Sequence, residues 1–483
     1  MSADTQKGHL KEDLRALFRC PRELWIAYIA KFFESIGLFS LLYTATLWLS
    51  ADYGLTDVEA GWWFGAFSLV LSLITFCVGF FADAVGFRPT LIFAFFAAAV
   101  ARGTMAFAGP SRRVALIGFM GLTLGTALGV PVLNTAIRRY TTVRARPFGF
   151  SLYYALMNVG AAVAGLLLDI VRGHFKGPEG KPIAKLVMLP LLGERMMSTY
   201  SMIYLIGLGC AVLAFTASLF LRRGVDAEAD ELRAFAAAAP DAELEAVEGA
   251  GYREAAKARK VLAEKHERNP FKVAWSVLRE STFWRFMLFI ALLVPPKLIY
   301  QHYHATWPKY VLREMGESFP IGKIFSVNPL IIMFLVPITT ALTKKYPVFR
   351  MILIGSLVSS ASVFLLCINA SYPTIIGMLL VLTLGEALWL PRLYEYTAAI
   401  APRGRESSYM SLSALPMFFA KMIVGPMGGY LLATYCPETG PRNSEMMWLI
   451  IGLTTIGGPI LIYFFRGVIE HPPKAGRQPE GHS

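Results

Sequence analysis

Charged residues are scarce in this chain. Of its 483 residues, 16% are Asp, Glu, Lys or Arg, whereas 55% are hydrophobic, and 34 of them are Phe. A soluble globule of this composition would lack the polar surface that water requires. The apolar residues also come in blocks of about 20, the length that crosses a bilayer as a helix. The scarcity of charge therefore excludes a soluble protein and predicts a multi-pass membrane protein.

Cysteine is rare as well. The five cysteines, at positions 20, 77, 210, 367 and 436, form no CxxC pair and no spacing typical of metal ligands. This pattern excludes a disulfide framework and a metal site. The sequence also shows no nucleophile–base–acid set and no phosphate-binding loop. We therefore expect no catalytic residues, no cofactor and no enzyme activity.

Acidic residues are outnumbered by basic ones, 33 against 46, which gives a net charge of +13. Such a charge suits nucleic acid, but the basic residues of membrane proteins usually cluster in cytoplasmic loops and set the orientation. Here they are concentrated in the N-terminal tail and after the fourth and eighth apolar blocks. We therefore expect the lipid bilayer as partner, no nucleic acid, both termini in the cytoplasm, and a cell or inner membrane. The basic connection after the fifth block disagrees with this orientation.

Twelve apolar blocks predict an all-α protein with twelve membrane-spanning helices, here termed spans 1 to 12. A polar break separates them into two sets of six. Spans 1 to 6 are predicted near 24–50, 58–82, 89–108, 114–137, 147–171 and 199–221, and spans 7 to 12 near 282–307, 320–343, 348–368, 373–399, 406–433 and 446–465.

The charge and composition of the remaining segments predict the domain organisation. The polar break is Ala-rich and favours short surface helices, which suits a tether between two bundles. The predicted parts are a cytoplasmic tail (1–23), an N-terminal six-helix bundle (24–221), a cytoplasmic linker (222–281), a C-terminal six-helix bundle (282–466) and a disordered cytoplasmic tail (467–483).

Two six-helix bundles joined by a cytoplasmic linker resemble the layout of the major facilitator superfamily. The segment GFFADAVGFRP after span 2 resembles that family's G-x-x-x-D-x-x-G-R-[KR] signature through Gly79, Asp83, Gly86 and Arg88, with the arginine displaced by one residue. A small residue at 79 lets helices approach closely, and a carboxylate at 83 can pair with a base or a helix N-terminus. The resemblance implies a transporter fold whose bundles rock between two states, without naming its cargo.

Three further segments resemble the proton-dependent oligopeptide transporters within that superfamily. They are YYALMNVGA in span 5, IFSVNPLIIMFLVPI in span 8 and LGEALWLPRLYEYTAAIAP in span 10. In that family an Asn, an Asn and a Glu at matching positions hold the amino group of the peptide. The resemblance therefore assigns substrate binding to Asn158, Asn328 and Glu386. The alternative for the two asparagines is a structural role as interhelical hydrogen-bond partners.

Span 1 departs from the family pattern. The family's E-x-x-E-R motif couples protons and helps to hold the peptide carboxylate, but this chain has Lys31, Glu34 and Ser35 at the charged positions. Residues three apart share a helix face, and a rise of about 1.5 Å per residue places both charges deep in the span. We expect Lys31 and Glu34 to take part in proton coupling. A self-neutralising pair that only steadies helix packing is the alternative.

Other charged residues also fall at membrane depth, where they are costly. Arg102 in span 3, Lys297 in span 7 and Glu395 in span 10 are candidate cavity charges. Arg102 or Lys297 can replace the missing anion-binding groups. Equally, Lys297 or Lys421 can pair with Glu386 or Glu395.

Span 7 carries two further features. Pro295 and Pro296 predict a break or bend in the helix. His302 and His304 follow near its outer end, where surface residues are a simpler interpretation than a proton-sensitive gate.

These observations favour a secondary active transporter that works by alternating access. We expect a monomer that carries small peptides or peptide-like solutes in proton-coupled symport. An amine or amino-acid derivative, with altered or absent proton coupling, is the alternative cargo. A membrane receptor or scaffold whose linker recruits partners is the third interpretation.

Overall fold

The computed structural model of the protein is predominantly helical. Most of the predicted tails (1–23 and 467–483) and of the predicted linker (222–281) lies outside the residues that it describes, namely 1–16, 470–483 and 231–280, so their structure stays a prediction. The described residues are 17–85, 87–142, 145–177, 183–189, 193–225, 227, 230, 281–400 and 415–469.

Six long helices form the N-terminal half and correspond to spans 1 to 6. Local sequence explains several of their ends. The left-handed Gly54 (φ 62°) ends the first helix and its N–H bonds to the carbonyls of Leu49 and Ser50. The side chains of Ser111 and Ser198 cap the fourth and sixth helices. The helices are α1 (Arg22–Tyr53), α2 (Asp57–Val85), α3 (Phe87–Ala106), α4 (Arg112–Tyr140), α5 (Arg146–His174) and α6 (Thr199–Leu219).

The C-terminal half is built in the same way but is more broken. The first two helices together make span 7 and are bent by 41°. Pro295 and Pro296 lie in the first turn of the second one, where missing N–H donors end the preceding helix. The elements are α7 (Ser281–Leu292), α8 (Val294–Ala305), α9 (Trp307–Met315), α10 (Ile321–Thr343), α11 (Val348–Ala361), a 3₁₀ helix (Ser362–Cys367), α12 (Tyr372–Ile400), α13 (Leu415–Tyr435), α14 (Ser444–Phe464) and α15 (Arg466–Ile469).

Within the described residues, ten helices are long and apolar enough to cross a membrane, and the bent pair α7 and α8 makes an eleventh. The helix α13 takes the place of span 11, whose predicted first residues, 406–414, lie outside the described part. This architecture is that of an integral multi-pass membrane protein.

A short antiparallel hairpin joins α5 to α6, and the sequence analysis did not predict it. Strand β1 (Lys185–Leu189) pairs with β2 (Gly193–Met197) so that Leu186 lies opposite Met196. The hairpin, the α1–α2 turn, the α9–α10 turn and the α13–α14 turn lie at one end of the molecule, joined by hydrogen bonds. We term this the hairpin end.

The two halves contact each other mainly through α2 with α13 and α5 with α10. Glycines make these contacts possible. A Cβ at Gly61 would lie 2.2 Å from the carbonyl oxygen of Gly425, and one at Gly165 would lie 2.4 Å from that of Gly322. The backbones of the two halves therefore touch directly, as small residues permit in membrane helices.

Candidate functional site

A carboxylate lies inside the C-terminal half, on α12. The Nδ2 of Asn328 on α10 donates to Glu386 Oε2 at 3.2 Å and to Thr383 Oγ1 at 2.8 Å. On its other side α12 packs closely against α11, because residue 385 is glycine: a Cβ at Gly385 would lie 2.3 Å from Ser359 Oγ. Among the described residues, no hydrogen bond reaches the other carboxylate oxygen, Oε1. Glu386 thus presents a half-buried carboxylate with one hydrogen-bonded oxygen.

Next to this carboxylate lies a buried lysine on α8. The Nζ of Lys297 is 4.4 Å from the ring centre of Trp389 and 5.6 Å from that of Tyr300. The two rings are fixed, because Trp389 Nε1 donates to Tyr300 Oη at 3.2 Å and Tyr300 Oη shares a hydrogen bond with Ser359 at 2.9 Å. The Lys297 side chain is only 4% exposed, and its charge interacts with that of Glu386. Trp389 was not identified from the sequence.

Asn158 makes its hydrogen bond within its own helix. It is buried in α5, and its Nδ2 donates to the carbonyl of Tyr154 in the same helix at 2.8 Å. In the described part of the chain it makes no hydrogen bond to Asn328 or Glu386. The helix nevertheless packs against α10, the helix that carries Asn328. Of the two asparagines, only Asn328 ties two helices together.

The two charges of span 1 form a direct ion pair in the N-terminal half. Lys31 Nζ lies 2.9 Å from Glu34 Oε2, and the side chains are 1% and 10% exposed. Lys31 Nζ also lies 5.0 Å from the centre of the Tyr153 ring on α5. The mutual neutralisation offsets part of the cost of two charges at membrane depth.

Arg102 lies beside this pair, on α3. Its guanidinium rests against two glycines, since a Cβ at Gly37 or at Gly207 would come within 2.8 Å of a guanidinium nitrogen. It is 5% exposed, and its Nη1 has no hydrogen-bond partner among the described residues. Arg102, Glu34 and Thr126 line one cavity of about 20 Å³, which is room for one water. Arg102 therefore brings a second cation to the carboxylate.

The position of the missing family arginine is closed by packing. Ser35 faces Gly160 on α5, and a Cβ at Gly160 would lie 2.7 Å from the Cβ of Ser35. Contact this close excludes a side chain at position 160, and because Ser35 is fully buried, a longer side chain at position 35 would have to displace its neighbours. The departure from the family motif is therefore matched by the helix packing around it.

Glu395 does not belong to the buried cluster. It pairs with Arg392 of the same helix at 2.5 Å, and its side chain is 50% exposed. Its partner is thus neither Lys297 nor Lys421. The spacing of three residues in the sequence was a signal for this pair.

The expectation that His302 and His304 are surface residues is wrong. His302 is fully buried, and its Nδ1 shares a hydrogen bond with Thr306 Oγ1 at 2.9 Å. The ring of His304 stacks on Tyr43, 5.8 Å away between centres. The reason is that other helices pack against this end of span 7. A Cβ at Gly428 on α13 would lie 3.6 Å from His302 Nδ1, and the rings of Tyr43 on α1 and Phe325 on α10 stack on His304.

An aromatic layer lies between these sites and the hairpin end. Tyr43 on α1 stacks on Phe325 of α10 with 4.0 Å between ring centres, and Trp307 lies 5.2 Å from Phe325. Tyr43 is nine residues after Glu34, about 14 Å along the helix axis. The two halves are therefore in contact through aromatic rings on the hairpin side of the charged pair.

A set of ion pairs closes the hairpin end itself. Asp57 at the start of α2 accepts from Lys309 at 2.8 Å and from Arg313 at 2.8 and 2.9 Å. Arg172 on α5 pairs with Glu317 at 3.0 Å. Burial lowers the pKa of the Lys309 ammonium, and the Asp57 carboxylate only partly offsets this effect. We term these contacts the hairpin-end ion pairs; nothing local in the sequence signalled them.

The signature after span 2 is only partly visible. Arg88 donates to the carbonyl of Leu219 at 3.1 Å and so joins the start of α3 to the end of α6. The side chains of Gly79 and Asp83, and residue Gly86, lie outside the described residues.

The chain is similar in sequence and in fold to known membrane transporters. The family model of the Major Facilitator Superfamily matches residues 27–358. A curated relative, the uncharacterized MFS-type transporter YttB of Bacillus subtilis (strain 168), is 24% identical over 167 residues, or 34% of this chain and 41% of that protein. The match thus spans less than half the length of this relative.

Several solved structures have the same fold. A POT family transporter in complex with 5-aminolevulinic acid superposes with a TM-score of 0.69 at 16% identity, covering 93% of this chain and 97% of that chain. The peptide transporter POT in complex with sulfate gives 0.67 at 15% identity, covering 93% and 95%. A tetrameric PepTSo2 gives 0.67 at 12% identity, covering 92% and 98%.

Proposed function

Because the chain belongs to the major facilitator superfamily, we propose that it is a secondary active transporter that carries small peptides or peptide-like solutes together with protons. The observation that carries this proposal is the cluster of Glu386 and Asn328, which are half-buried, with the buried Trp389. A carboxylate with one free oxygen, an amide and an aromatic face are the groups that bind an ammonium ion. Peptides and related solutes present such a group at their amino terminus.

Alternating access is supported by where the contacts between the two halves lie in the described part of the chain. The aromatic layer and the hairpin-end ion pairs join the two halves on one side of the charged clusters. When these contacts break, the charged clusters become accessible from the hairpin end. When they are intact, the clusters are accessible from the opposite end. The positive charges of the N-terminal tail and of the connections after spans 4 and 8 make the hairpin end the outer side and both termini cytoplasmic, in a cell or inner membrane, although the hairpin connection is itself basic.

Proton coupling is assigned to the two intramembrane carboxylates. A carboxylate at membrane depth is less costly when it is neutral, so protonation favours the movement that exchanges access. In the N-terminal half, protonation of Glu34 breaks its ion pair and frees Lys31 to bind a carboxylate of the cargo. In the C-terminal half, Glu386 holds the cargo ammonium when charged and releases it when protonated.

Uptake into vesicles tests this proposal. Purified protein is reconstituted, and accumulation of a labelled dipeptide is followed under an inward proton gradient, with and without a protonophore. We expect accumulation above equilibrium that the protonophore abolishes and that Glu386→Gln reduces strongly. Glu59→Gln is the matched control, because Glu59 pairs with Arg112 at the surface, where both side chains are nearly half exposed. Uptake that ignores the protonophore would rule out proton symport.

A second candidate keeps the fold and changes the cargo to an amine or an amino-acid derivative. It is favoured by Ser35, which stands where the related transporters have the arginine that helps to bind a peptide carboxylate. Competition by di- and tripeptides against simple amines in the same uptake assay distinguishes the two. The compound bound in one structural relative, 5-aminolevulinic acid, is a first amino-acid derivative to test.

We further propose that one chain forms the complete transport unit, with the bilayer as its partner. Both charged clusters lie within a single chain, and no second copy is needed to complete either. Light scattering of the purified protein, combined with uptake at limiting protein density in vesicles, tests this assignment. A tetramer, as in the PepTSo2 structure, that loses uptake on dissociation would contradict it.

A further inference from the structure

Lys297 has an unusual surrounding for a lysine. Its ammonium lies over the Trp389 and Tyr300 rings at 4.4 and 5.6 Å, and its side chain is 4% exposed. A lysine has three hydrogen-bond donors, yet among the described residues Lys297 makes no hydrogen bond and no ion pair within 4 Å. Its favourable interactions are those with the two rings and with the charge of Glu386.

The groups around Lys297, namely the Trp389 and Tyr300 rings and the Glu386 carboxylate, also suit the ammonium group of a ligand. Aromatic faces attract cations, by about 2 kcal/mol when water is excluded, and the carboxylate supplies the opposite charge. Glu386 and Trp389 are three residues apart on α12, so they lie on one helix face. Lys297 and Tyr300 are likewise three apart on α8. The facing sides of α12 and α8 therefore carry the cage, which consists of Glu386, Trp389 and Tyr300, and also the Lys297 ammonium that lies in it.

We propose that Lys297 is an internal substitute for the ammonium of the cargo, occupying the Glu386–Trp389–Tyr300 cage while no cargo is bound. This inference rests on the proposed function and deepens it: the cargo carries a primary amine, which displaces the Lys297 ammonium from the rings. The empty transporter thereby avoids leaving Glu386 unpaired at membrane depth, where an isolated carboxylate is costly.

The position of Lys297 in the fold suits such an exchange. It lies in the first turn of α8, one residue after Pro296, where span 7 is bent by 41°. The bend is held from one side, because a Cβ at Gly458 on α14 would lie 2.5 Å from the Pro296 ring. A small change of the bend moves Lys297 relative to Trp389, which is fixed on another helix.

Equilibrium binding of small probes tests the inference. Butylammonium represents the cargo amine, and butyrate at equal ionic strength represents a cargo carboxylate. Their dissociation constants are obtained from the shift of the thermal unfolding midpoint of the purified protein. The variants are Lys297→Met, which keeps length and removes charge, and Lys297→Met with Glu386→Gln. Lys421→Met is the matched control, since it removes another lysine of the C-terminal half that lies outside the cage.

An internal competitor lowers the apparent affinity of the external ligand. We therefore expect Lys297→Met to bind butylammonium at least tenfold more tightly than the parent protein, about 1.4 kcal/mol. This gain in butylammonium affinity should disappear in the double variant and should be absent in Lys421→Met. Equal affinities in the parent and Lys297→Met would overturn the inference. So would a selective loss of butyrate binding, which would make Lys297 the receptor of a cargo carboxylate.

The test also covers a variant that does not fold. Lys297→Met is then purified in the presence of butylammonium, and rescue by the probe supports the inference. Failure of this rescue, together with recovery of folding by Glu386→Gln, would show that Lys297 is only a structural counter-ion. The binding result does not depend on the result of the vesicle uptake assay. If the probes bind as expected but uptake does not depend on the proton gradient, only the proposed proton coupling is refuted.

Discussion

Replacing Asp57 by Asn should open the hairpin end of the protein. Asp57 is 9% exposed and accepts hydrogen bonds from Lys309 and Arg313, which are 4% and 11% exposed. Removing one partner of a buried ion pair costs about 3–5 kcal/mol, because the other charge stays buried without compensation. These contacts join the two halves only when the hairpin end is closed, so the loss falls on the closed state. About 3 kcal/mol shifts the ratio of closed to open molecules by about two orders of magnitude.

The thiol of Cys436 reports this opening. Cys436 is fully buried, and its backbone carbonyl accepts a hydrogen bond from Arg313. Burial raises the pKa of its thiol to about 12. A buried thiol with so high a pKa reacts slowly with thiol reagents. We expect a membrane-impermeant reagent to label Cys436 faster in Asp57→Asn, by up to about 100-fold, as measured by peptide mass spectrometry.

The control for this experiment is Glu59→Gln on the same helix. Its ion pair with Arg112 is about half exposed on both sides, and such surface pairs contribute about 0–1 kcal/mol. Labelling of Cys436 should therefore change little in Glu59→Gln. The reasoning is refuted if Asp57→Asn is labelled no faster than the parent protein.

Three further outcomes are expected. Gly61→Ala should also speed labelling at the hairpin end, because its Cβ would lie 2.2 Å from the backbone oxygen of Gly425 and the halves must separate. Gly209→Ala, with nothing within 4 Å of its Cβ, should leave the rate unchanged, and equal rates in the two variants would contradict the role of this contact. Asn328→Ala should weaken amine binding about tenfold or more, as measured by thermal shift, since a hydrogen bond to a charged group is worth about 1.5–3 kcal/mol. Unchanged binding in that variant would show that Asn328 does not hold Glu386 for the ligand.

The fold was predictable because its signal is local. A block of about 20 apolar residues specifies a membrane helix without reference to the rest of the chain, since the bilayer requires every backbone group to bond within the helix. The bend at Pro295 and Pro296 was likewise readable, because proline lacks the N–H that a helix interior needs. The β-hairpin was not predicted, because its five-residue strands carry little signal between two long apolar blocks.

The candidate site was predictable only in part. The ion pair of Lys31 and Glu34 followed from helical spacing, and the resemblance to a known family identified Asn328 and Glu386. The aromatic cage around Lys297 could not be predicted from the sequence, because Trp389 and Tyr300 lie on different helices and are 89 residues apart in the chain. The expectation of exposed histidines was wrong for a related reason: the helix that covers His302 is a tertiary neighbour, and burial is set by neighbours.

By itself, the sequence determined the kind of protein: a chain poor in charge and rich in long apolar blocks must cross the membrane many times. It also placed a few charges at a depth where each needs a partner. Only the tertiary structure decided which partner each charge has: Glu34 for Lys31, Arg392 for Glu395, and two aromatic rings for Lys297. The physical reason is that apolar periodicity acts within one helix, whereas ion pairs, cages and the contact of the two halves depend on how separate helices meet.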